Sequence, residues 1–274
     1  MLEARNLLMT KTVLITGASR GIGLTTACLL VEQGYKVWGT SRHPDLNPVS
    51  GFDLLPLDVR NDDSVKTCVE TVLERAGHID VLINNAGVSL GGAVEEASLD
   101  EAHQLFETNF FGVIRMTNAV LPHMRRAGRG YILNIGSLAG LVGVPYIGLY
   151  AAAKHALAGY TASLRYELKS LGIQVVLIEP GDARTAITNF PTATQIADYD
   201  GARERAQSTH EFNVNNGLQI EPIAYTILKV IESTHPRLRY SVTAGEQFWV
   251  PWMRRLLPEW LIERIIRNAF KLDG

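Results

Sequence analysis

Residues 12–23 read TVLITGASRGIG, an apolar run followed directly by a turn that contains three glycines. Glycine loses more conformational freedom on folding than other residues, so this density indicates that the backbone must approach another group closely. A strand that passes through a glycine-rich turn into a helix is the setting of a dinucleotide-binding motif, in which helix amides stabilise a pyrophosphate. A turn without a ligand is the alternative. The residues expected to contact a nucleotide here are Gly17, Ser19, Arg20, Gly21, Ile22 and Gly23.

The composition is that of an ordinary globular protein. The 274 residues are 46% hydrophobic and 20% charged, with a formal net charge of −2. No basic excess favours a nucleic-acid partner, and the length suits a single α/β domain, residues 1–274. No run of about 18 uninterrupted apolar residues predicts a transmembrane segment. The N-terminal residues are too few and too charged for a signal peptide, so a cytoplasmic location is expected.

The two cysteines, Cys28 and Cys68, have neither a pairing pattern nor a metal-ligand spacing. Each lies in an apparently helical stretch. We expect both to be small buried residues in a reducing compartment, and we expect no metal site.

Apolar, β-rich runs alternate with helical patterns along the chain. The runs cover residues 12–16, 36–41, 52–57, 80–84, 130–136, 173–180 and 239–245. Strands this apolar are typical of a sheet covered on both faces, and right-handed crossovers make such a sheet parallel. Helices are predicted over 62–77, 99–124 and 150–170. The pattern predicts an α/β fold, a Rossmann-type doubly wound three-layer sandwich with a seven-stranded, mostly parallel sheet, whose ligands bind beyond the carboxyl ends of the strands.

Polar motifs follow several of the predicted strands. The glycine turn has the spacing G-x-x-x-G-x-G, and Tyr150 and Lys154 form a Y-x-x-x-K pair with Ser137 upstream. The other motifs are Asp58-Val59, Asn84-Asn85-Ala86-Gly87, Asn109, and Pro180-Gly181 followed by Thr185. In this order and at these intervals, residues 11–185 resemble the short-chain dehydrogenase/reductase family.

The resemblance implies roles for these positions. The implied catalytic residues are Asn109, Ser137, Tyr150 and Lys154. In the family, the lysine also holds the nicotinamide ribose, and the asparagine anchors a water that links the lysine to solvent. The further residues implied to contact the cofactor are Asp58, Val59, Asn85, Ala86, Gly87, Tyr150, Lys154, Pro180, Gly181, Ala183 and Thr185.

The chemistry of the catalytic residues supports the same assignment. Residues four apart share a helix face, so Tyr150 and Lys154 are expected to point together into the crevice. A neighbouring ammonium favours the phenolate, so we expect the lysine to lower the tyrosine pKa towards neutrality and make Tyr150 the acid/base. Ser137 would donate to a substrate carbonyl oxygen where negative charge develops.

The charges near the second predicted strand favour NADP(H) over NAD(H). An NAD-binding fold places an acidic residue about 20 residues beyond the glycines, whereas an arginine accommodates a 2′-phosphate. Here the strand ends at Ser41 and Arg42, and Arg20 adds a second guanidinium. Asp45 is the nearest carboxylate, but Pro44 is expected to turn it away. The alternative is that both arginines are ordinary surface residues.

The C-terminal third is expected to select the substrate. Residues 186–217 form a polar stretch predicted to be a long lid loop, and residues 246–274 have an amphipathic pattern. This extension is expected to pack on the core or on a partner subunit, with peripheral contact to a membrane surface as the alternative. The region more weakly resembles the hydroxysteroid- and retinol-dehydrogenase-like branch, which implies an apolar carbonyl or alcohol substrate. The family resemblance also implies a homodimer or homotetramer.

Two classes of function fit these features. The first is an alcohol dehydrogenase or carbonyl reductase that transfers a hydride, with Tyr150 as the acid/base. The second is a non-catalytic NADP-sensing module that binds partner proteins through the same fold. The presence of Ser137 with Tyr150 and Lys154 favours catalysis, because a sensor has no need of a proton donor.

Overall fold

A parallel seven-stranded sheet forms the centre of the computed structural model, which describes residues 10–46, 49–185 and 187–273. The strands are β1 (Thr12–Ile15), β2 (Lys36–Ser41), β3 (Asp53–Pro56), β4 (Val81–Asn84), β5 (Val88–Gly91), β6 (Gly130–Ile135), β7 (Ile173–Pro180), β8 (Thr188–Pro191) and β9 (Arg239–Val242). The sheet has the order β3-β2-β1-β4-β6-β7-β9, and β5 pairs with β8 in a separate two-stranded sheet. All pairs are parallel. The predicted fold class is confirmed.

Helices follow most of the strands. They are α1 (Gly21–Glu32), α2 (Asp62–Ala76), α3 (Leu99–Phe106), α4 (Gly112–Ala127), α5 (Gly148–Leu168), α6 (Asp200–Asn215), α7 (Glu221–Glu232), α8 (Val250–Leu256) and α9 (Glu259–Ala269). Local signals set their ends: Asn61 accepts a hydrogen bond from Ser64 N at the start of α2, and Gly77 ends α2 with φ +80°. The helix predicted over 99–124 is interrupted by a π-helical turn at Glu107–Phe111.

The sheet has a hydrophobic core on each face. Along β1, Val13 and Ile15 point into the core that α1 and α7 cover, whereas Leu14 points into the core beneath α2, α4 and α5. Alternate side chains of a strand face opposite sides, so a central strand covered on both sides is apolar along most of its length. Burial on both faces therefore explains the continuous apolar runs of the sequence.

A ladder of buried polar side chains joins the second core to the sheet. Asn84 Nδ2 donates to Asn134 Oδ1 at 2.9 Å and to Thr117 Oγ1 at 3.4 Å, and Asn134 Nδ2 donates to Thr161 Oγ1 at 2.9 Å. Buried amides of this kind are stable only when their hydrogen bonds are satisfied. The ladder fixes α4 and α5 relative to β4 and β6, and so fixes the helix that carries Tyr150.

The structure corrects the prediction that residues 186–217 form a loop. Apart from Ala186, which lies outside the described residues, this stretch contains β8 and the four-turn helix α6. A buried ion pair between Arg203 and Glu96 attaches α6 to the body of the protein. Glu96 also accepts hydrogen bonds from Ala93 N and Ile196 N, both at 2.8 Å. Long-range contacts, rather than an apolar stripe, thus hold this polar helix.

The C-terminal extension forms α8 and α9. Ile262 on α9 is buried, whereas Trp252 and Trp260 remain exposed. Arg205 Nε on α6 donates to Lys271 O at 2.7 Å, so the turn after α9 is attached to α6. Gly274 lies outside the described residues. No helix in the part of the chain that the structure describes is long and apolar enough to cross a membrane. Of the two cysteines, Cys68 is buried as expected, but the prediction for Cys28 is wrong because this residue is exposed on α1.

Candidate active site

A cleft of about 1270 Å³ opens at the carboxyl ends of the strands, where the chain order reverses between β1 and β4. An open α/β sheet binds its ligands at such a reversal. The predicted site residues that line the cleft are Gly17, Ser19, Arg20, Gly21, Ile22, Ser41, Arg42, Asp58, Val59, Asn85, Ala86, Gly87, Ser137, Tyr150, Lys154, Pro180, Gly181, Ala183 and Thr185. Two other predicted residues, Gly23 and Asn109, lie behind the cleft surface.

The glycine turn, residues 16–23, takes a backbone shape that few other residues tolerate. Gly17 and Gly21 have φ values of +68° and +56°. A Cβ at Gly23 would collide with Gly17 O and lie 2.6 Å from Asn85 Nδ2, so this glycine permits close packing rather than ligand contact. The turn ends at the start of α1, whose first amides receive no side-chain cap. These amides face the cleft and fit a phosphate.

The segment that follows β4 is tied to the glycine turn. Thr16 Oγ1 accepts hydrogen bonds from Asn85 N and Ala86 N, each at 2.9 Å. Asn85 Nδ2 donates to Thr16 O and Gly17 O, also at 2.9 Å each. The two walls of the nucleotide-binding part of the cleft therefore form one hydrogen-bonded unit, in which the side chain of Asn85 supports the turn.

Tyr150 lies in the first turns of α5 and faces Ser137 at the end of β6. Burial raises the pKa of Tyr150 to about 12, a hydrogen bond with Ser137 opposes that increase, and the negative charge of Asp182 adds to it. The expectation that this pKa falls towards neutrality is therefore wrong, because desolvation of the buried phenol is the largest cause of the shift and raises the pKa. Ser137 Oγ also accepts from Ala139 N at 3.1 Å, which fixes its side chain.

Lys154 lies one turn along α5 and is 6% exposed. Its Nζ donates to Ile135 O at 2.8 Å and lies 5.6 Å from the centre of the Tyr150 ring. Burial lowers the pKa of this ammonium to about 8. An ammonium has three donors, so Lys154 retains donors for a ligand in the cleft.

Asn109 lies within the π-helical turn that interrupts the helix after α3. Its Oδ1 accepts from Val88 N at 2.9 Å, and its Nδ2 donates to Val88 O at 2.8 Å. A Cβ added to Gly87 would lie 3.3 Å from Asn109 Oδ1 and 4.0 Å from Lys154 Nζ, so the two side chains flank the same glycine. Asn109 thus lies in a π-turn close to Lys154, and such bulges often mark functional sites.

The cofactor end of the cleft, around Arg42, Asp58 and Arg60, contains an ion pair that the sequence did not reveal. Arg60 donates to both carboxylate oxygens of Asp58, from Nε at 2.9 Å and from Nη2 at 2.7 Å. This hydrogen bond is the main reason that the pKa of Asp58 is low, and the charge of Arg42 contributes. The carboxylate of Asp58 is thus already paired. Arg20 does not join this ion pair; its guanidinium donates a hydrogen bond to Thr188 Oγ1 on β8.

These groups suit a nicotinamide dinucleotide: uncapped helix amides, three arginines and a Ser-Tyr-Lys set in one cleft. The family model described as short chain dehydrogenase matches residues 11–195 of this chain. The chain belongs to this family. A 3-ketodihydrosphingosine reductase of Bacteroides thetaiotaomicron is 38% identical over 264 residues, 95% of this chain and 98% of that protein. Retinol dehydrogenase 8 of Bos taurus is 36% identical over 252 residues, 84% of this chain and 80% of that protein.

Solved structures of short-chain dehydrogenases have the same architecture. One from Streptomyces avermitilis has a TM-score of 0.80 at 29% identity and covers 96% of this chain and 99% of its own. ElxO with NADP bound has a TM-score of 0.70 at 28% identity and covers 85% of this chain and 97% of its own. The predicted family is confirmed, and with it an oxidoreductase fold that binds nicotinamide nucleotides.

The end of the cleft away from the glycine turn is covered by α6, α8 and α9, and is called the substrate end because of the proposal below. Apolar side chains dominate its lining, namely Val142, Phe212, Val214, Trp249, Met253, Ile265, Ile266 and Phe270. Asp182 and Glu246 are the carboxylates among its described residues. Sequence analysis missed both, because only the fold brings the segment after β7 next to the C-terminal extension.

Proposed function

We propose that this short-chain dehydrogenase is an NADP(H)-dependent oxidoreductase that interconverts an apolar alcohol and its ketone or aldehyde. The observation that carries the proposal is the meeting of Ser137, Tyr150 and Lys154 with the glycine turn in one cleft. The apolar substrate end supports a hydrophobic substrate. The two relatives are named for 3-ketodihydrosphingosine and retinol, both of them lipids, which supports the same class.

Ser137 and Tyr150 have different roles in the proposed proton transfer. Ser137 donates to the carbonyl oxygen and positions it beside the Tyr150 hydroxyl, which supplies the proton to the new alcohol. When bound, NADPH supplies the hydride. Burial raises the pKa of Tyr150 to about 12, so the hydroxyl keeps its proton at neutral pH and can act as the acid in carbonyl reduction.

The preference for NADP(H) rests on the guanidinium groups of the cofactor end. Arg42 lies beside the Asp58–Arg60 ion pair, at the end of β2, with no acidic residue at the strand tip. A guanidinium binds a phosphate with charge-assisted hydrogen bonds. Because Arg60 neutralises Asp58, that carboxylate does not repel a 2′-phosphate as strongly as a free one. The NADP bound to ElxO agrees with this proposal.

The test is to mix purified protein and NADPH with a panel of long-chain ketones and aldehydes and to follow the absorbance of NADPH. We expect NADPH oxidation with at least one apolar carbonyl, and none by a Tyr150→Phe protein that still binds NADPH. Tight NADPH binding without oxidation of the cofactor by any member of the panel would instead support the nucleotide-sensing module.

A further inference from the structure

Charge is distributed unevenly along the cleft. Its cofactor end carries Arg20, Arg42 and Arg60 together with one carboxylate, Asp58, which is paired with Arg60. Its substrate end carries Asp182 and Glu246, and His210 on α6 is the basic side chain among the described residues that line this end. A wholly neutral substrate would leave the charge of the half-buried Asp182 carboxylate without an opposite charge from the ligand, which is unfavourable beside apolar side chains.

Asp182 is held firmly by the chain around it. Asp182 N donates to Gln247 Oε1 at 2.9 Å, and Gln247 Nε2 donates to Asp182 Oδ2 at 2.6 Å. On its other side, Leu218 N donates to Asp182 O at 2.9 Å. A Cβ at Gly181 would collide with Gln247 Oε1, so the glycine before Asp182 makes this arrangement possible. The residue is preorganised by contacts from two separate segments.

The Asp182 carboxylate has capacity for a ligand. Its Oδ2 accepts from Gln247, whereas its Oδ1 accepts no hydrogen bond from any residue that the structure describes. The side chain lines the same cleft as Ser137 and Tyr150, and its charge is felt at the Tyr150 hydroxyl. Glu246, by contrast, is exposed at the edge of the cleft. Asp182 is the carboxylate placed to contact the part of a substrate that adjoins the reacting carbon.

We propose that Asp182 binds a positively charged group of the substrate next to its carbonyl, so that the substrate is a long-chain amino ketone. This inference rests on the proposed function, since it assigns one substrate class to the same cleft. The ammonium would lie between Asp182 and Tyr150, and the alkyl chain would extend along the apolar side chains of α6, α8 and α9. The ammonium would also offset the negative charge near the hydroxyl that must donate its proton.

The experiment compares three ketones of equal chain length with the wild-type protein and NADPH. They are 3-ketodihydrosphingosine, its N-acetyl derivative, which lacks the positive charge, and a straight-chain ketone without the amine. We expect kcat/KM to be at least tenfold higher for the amino ketone than for either neutral ketone. One Asp182→Asn variant and one Glu246→Gln variant complete the set. Asparagine keeps an oxygen for Gln247 but removes the charge.

The variants separate recognition from folding. Asp182→Asn should raise KM for the amino ketone at least tenfold, change kcat/KM for the neutral ketones far less than for the amino ketone, and keep NADPH affinity unchanged. Glu246→Gln should leave the preference for the amino ketone intact. As a binding readout, quenching of tryptophan fluorescence should show tighter binding of dodecylamine than of dodecanol, and Asp182→Asn should abolish that difference.

Specific results would overturn the proposal. Equal kcat/KM for charged and neutral ketones in the wild type would do so, and so would an Asp182→Asn protein that loses activity equally on all three. Oxidation of NADPH by none of the ketones would instead remove the proposed function, so the two failures are distinguishable.

Discussion

Replacing Arg203 by Met tests whether the buried ion pair holds α6 over the substrate end. The Arg203 side chain is 10% exposed and that of Glu96 is 0% exposed. Removing one partner of such a pair leaves an uncompensated buried charge, which generally costs about 3–5 kcal/mol. Arg203 also pairs with Asp200, but that carboxylate is 54% exposed, and an exposed pair contributes only about 0–1 kcal/mol. The loss therefore concerns mainly the contact with Glu96.

We expect this loss to appear as local opening of the chain between β8 and the end of α6. Each 1.4 kcal/mol is about tenfold in an equilibrium constant, so amide exchange in α6 should accelerate about 10²- to 10³-fold. Exchange in the central sheet should stay unchanged, as should NADPH affinity, while KM for a long-chain carbonyl rises. The assay is hydrogen exchange read by mass spectrometry, with and without NADPH and substrate.

A double variant provides the control. Adding Glu96→Gln to Arg203→Met removes the unpaired charge and should restore part of the protection in α6. Unchanged exchange in α6 of the single variant would refute the reasoning, because the ion pair would then contribute nothing to the position of this helix. Equal acceleration throughout the sheet would refute it as well, since the pair would then support the whole fold rather than the cover of the substrate end.

Three further outcomes are expected. Tyr150→Phe should lower turnover at least about 10²-fold and retain NADPH binding. Single-turnover kinetics and a binding titration measure the two effects. Activity within tenfold of the parent would exclude Tyr150 as the acid. Because the Lys154 ammonium has a pKa near 8, raising the pH through that value removes its charge, so NADPH affinity should decline above it, whereas Lys154→Arg should show no such decline. Arg42→Asp should reverse at least a tenfold preference for NADPH over NADH; a variant that still prefers NADPH would show that Arg42 is an ordinary surface residue.

The sequence was most informative where function depends on residues close together in the chain. The Y-x-x-x-K spacing puts Tyr150 and Lys154 on one helix face by helical geometry alone. Likewise, the glycines of the turn are required by positive φ at Gly17 and Gly21. The buried strands were predicted because most residues of the central strands are apolar. These features depend on local geometry, which a sequence pattern records directly.

Features that depend on distant contacts were missed. α6 has a polar sequence and is held by Arg203 and its partner Glu96, more than a hundred positions away, so periodicity could not predict it. The pKa of Tyr150 rises because the fold buries the phenol, an effect that spacing from Lys154 does not contain. Asp182 could be recognised as a site residue only from the structure, in which Gln247 donates a hydrogen bond to its carboxylate.

The strand order also has a consequence for how the chain reaches its native state. β1 is synthesised first but lies in the middle of the sheet, where Thr12 pairs beside Lys36 on one side and Val13 pairs beside Val81 on the other. A nascent chain that extends only through β3 therefore exposes one apolar edge of β1 until β4 emerges. The outer edge of β7 is open in the same way until Tyr240 pairs beside Ile178. Non-local pairing of this kind slows folding, and the edges of β1, which is fully buried in the native sheet, are exposed to aggregation during synthesis.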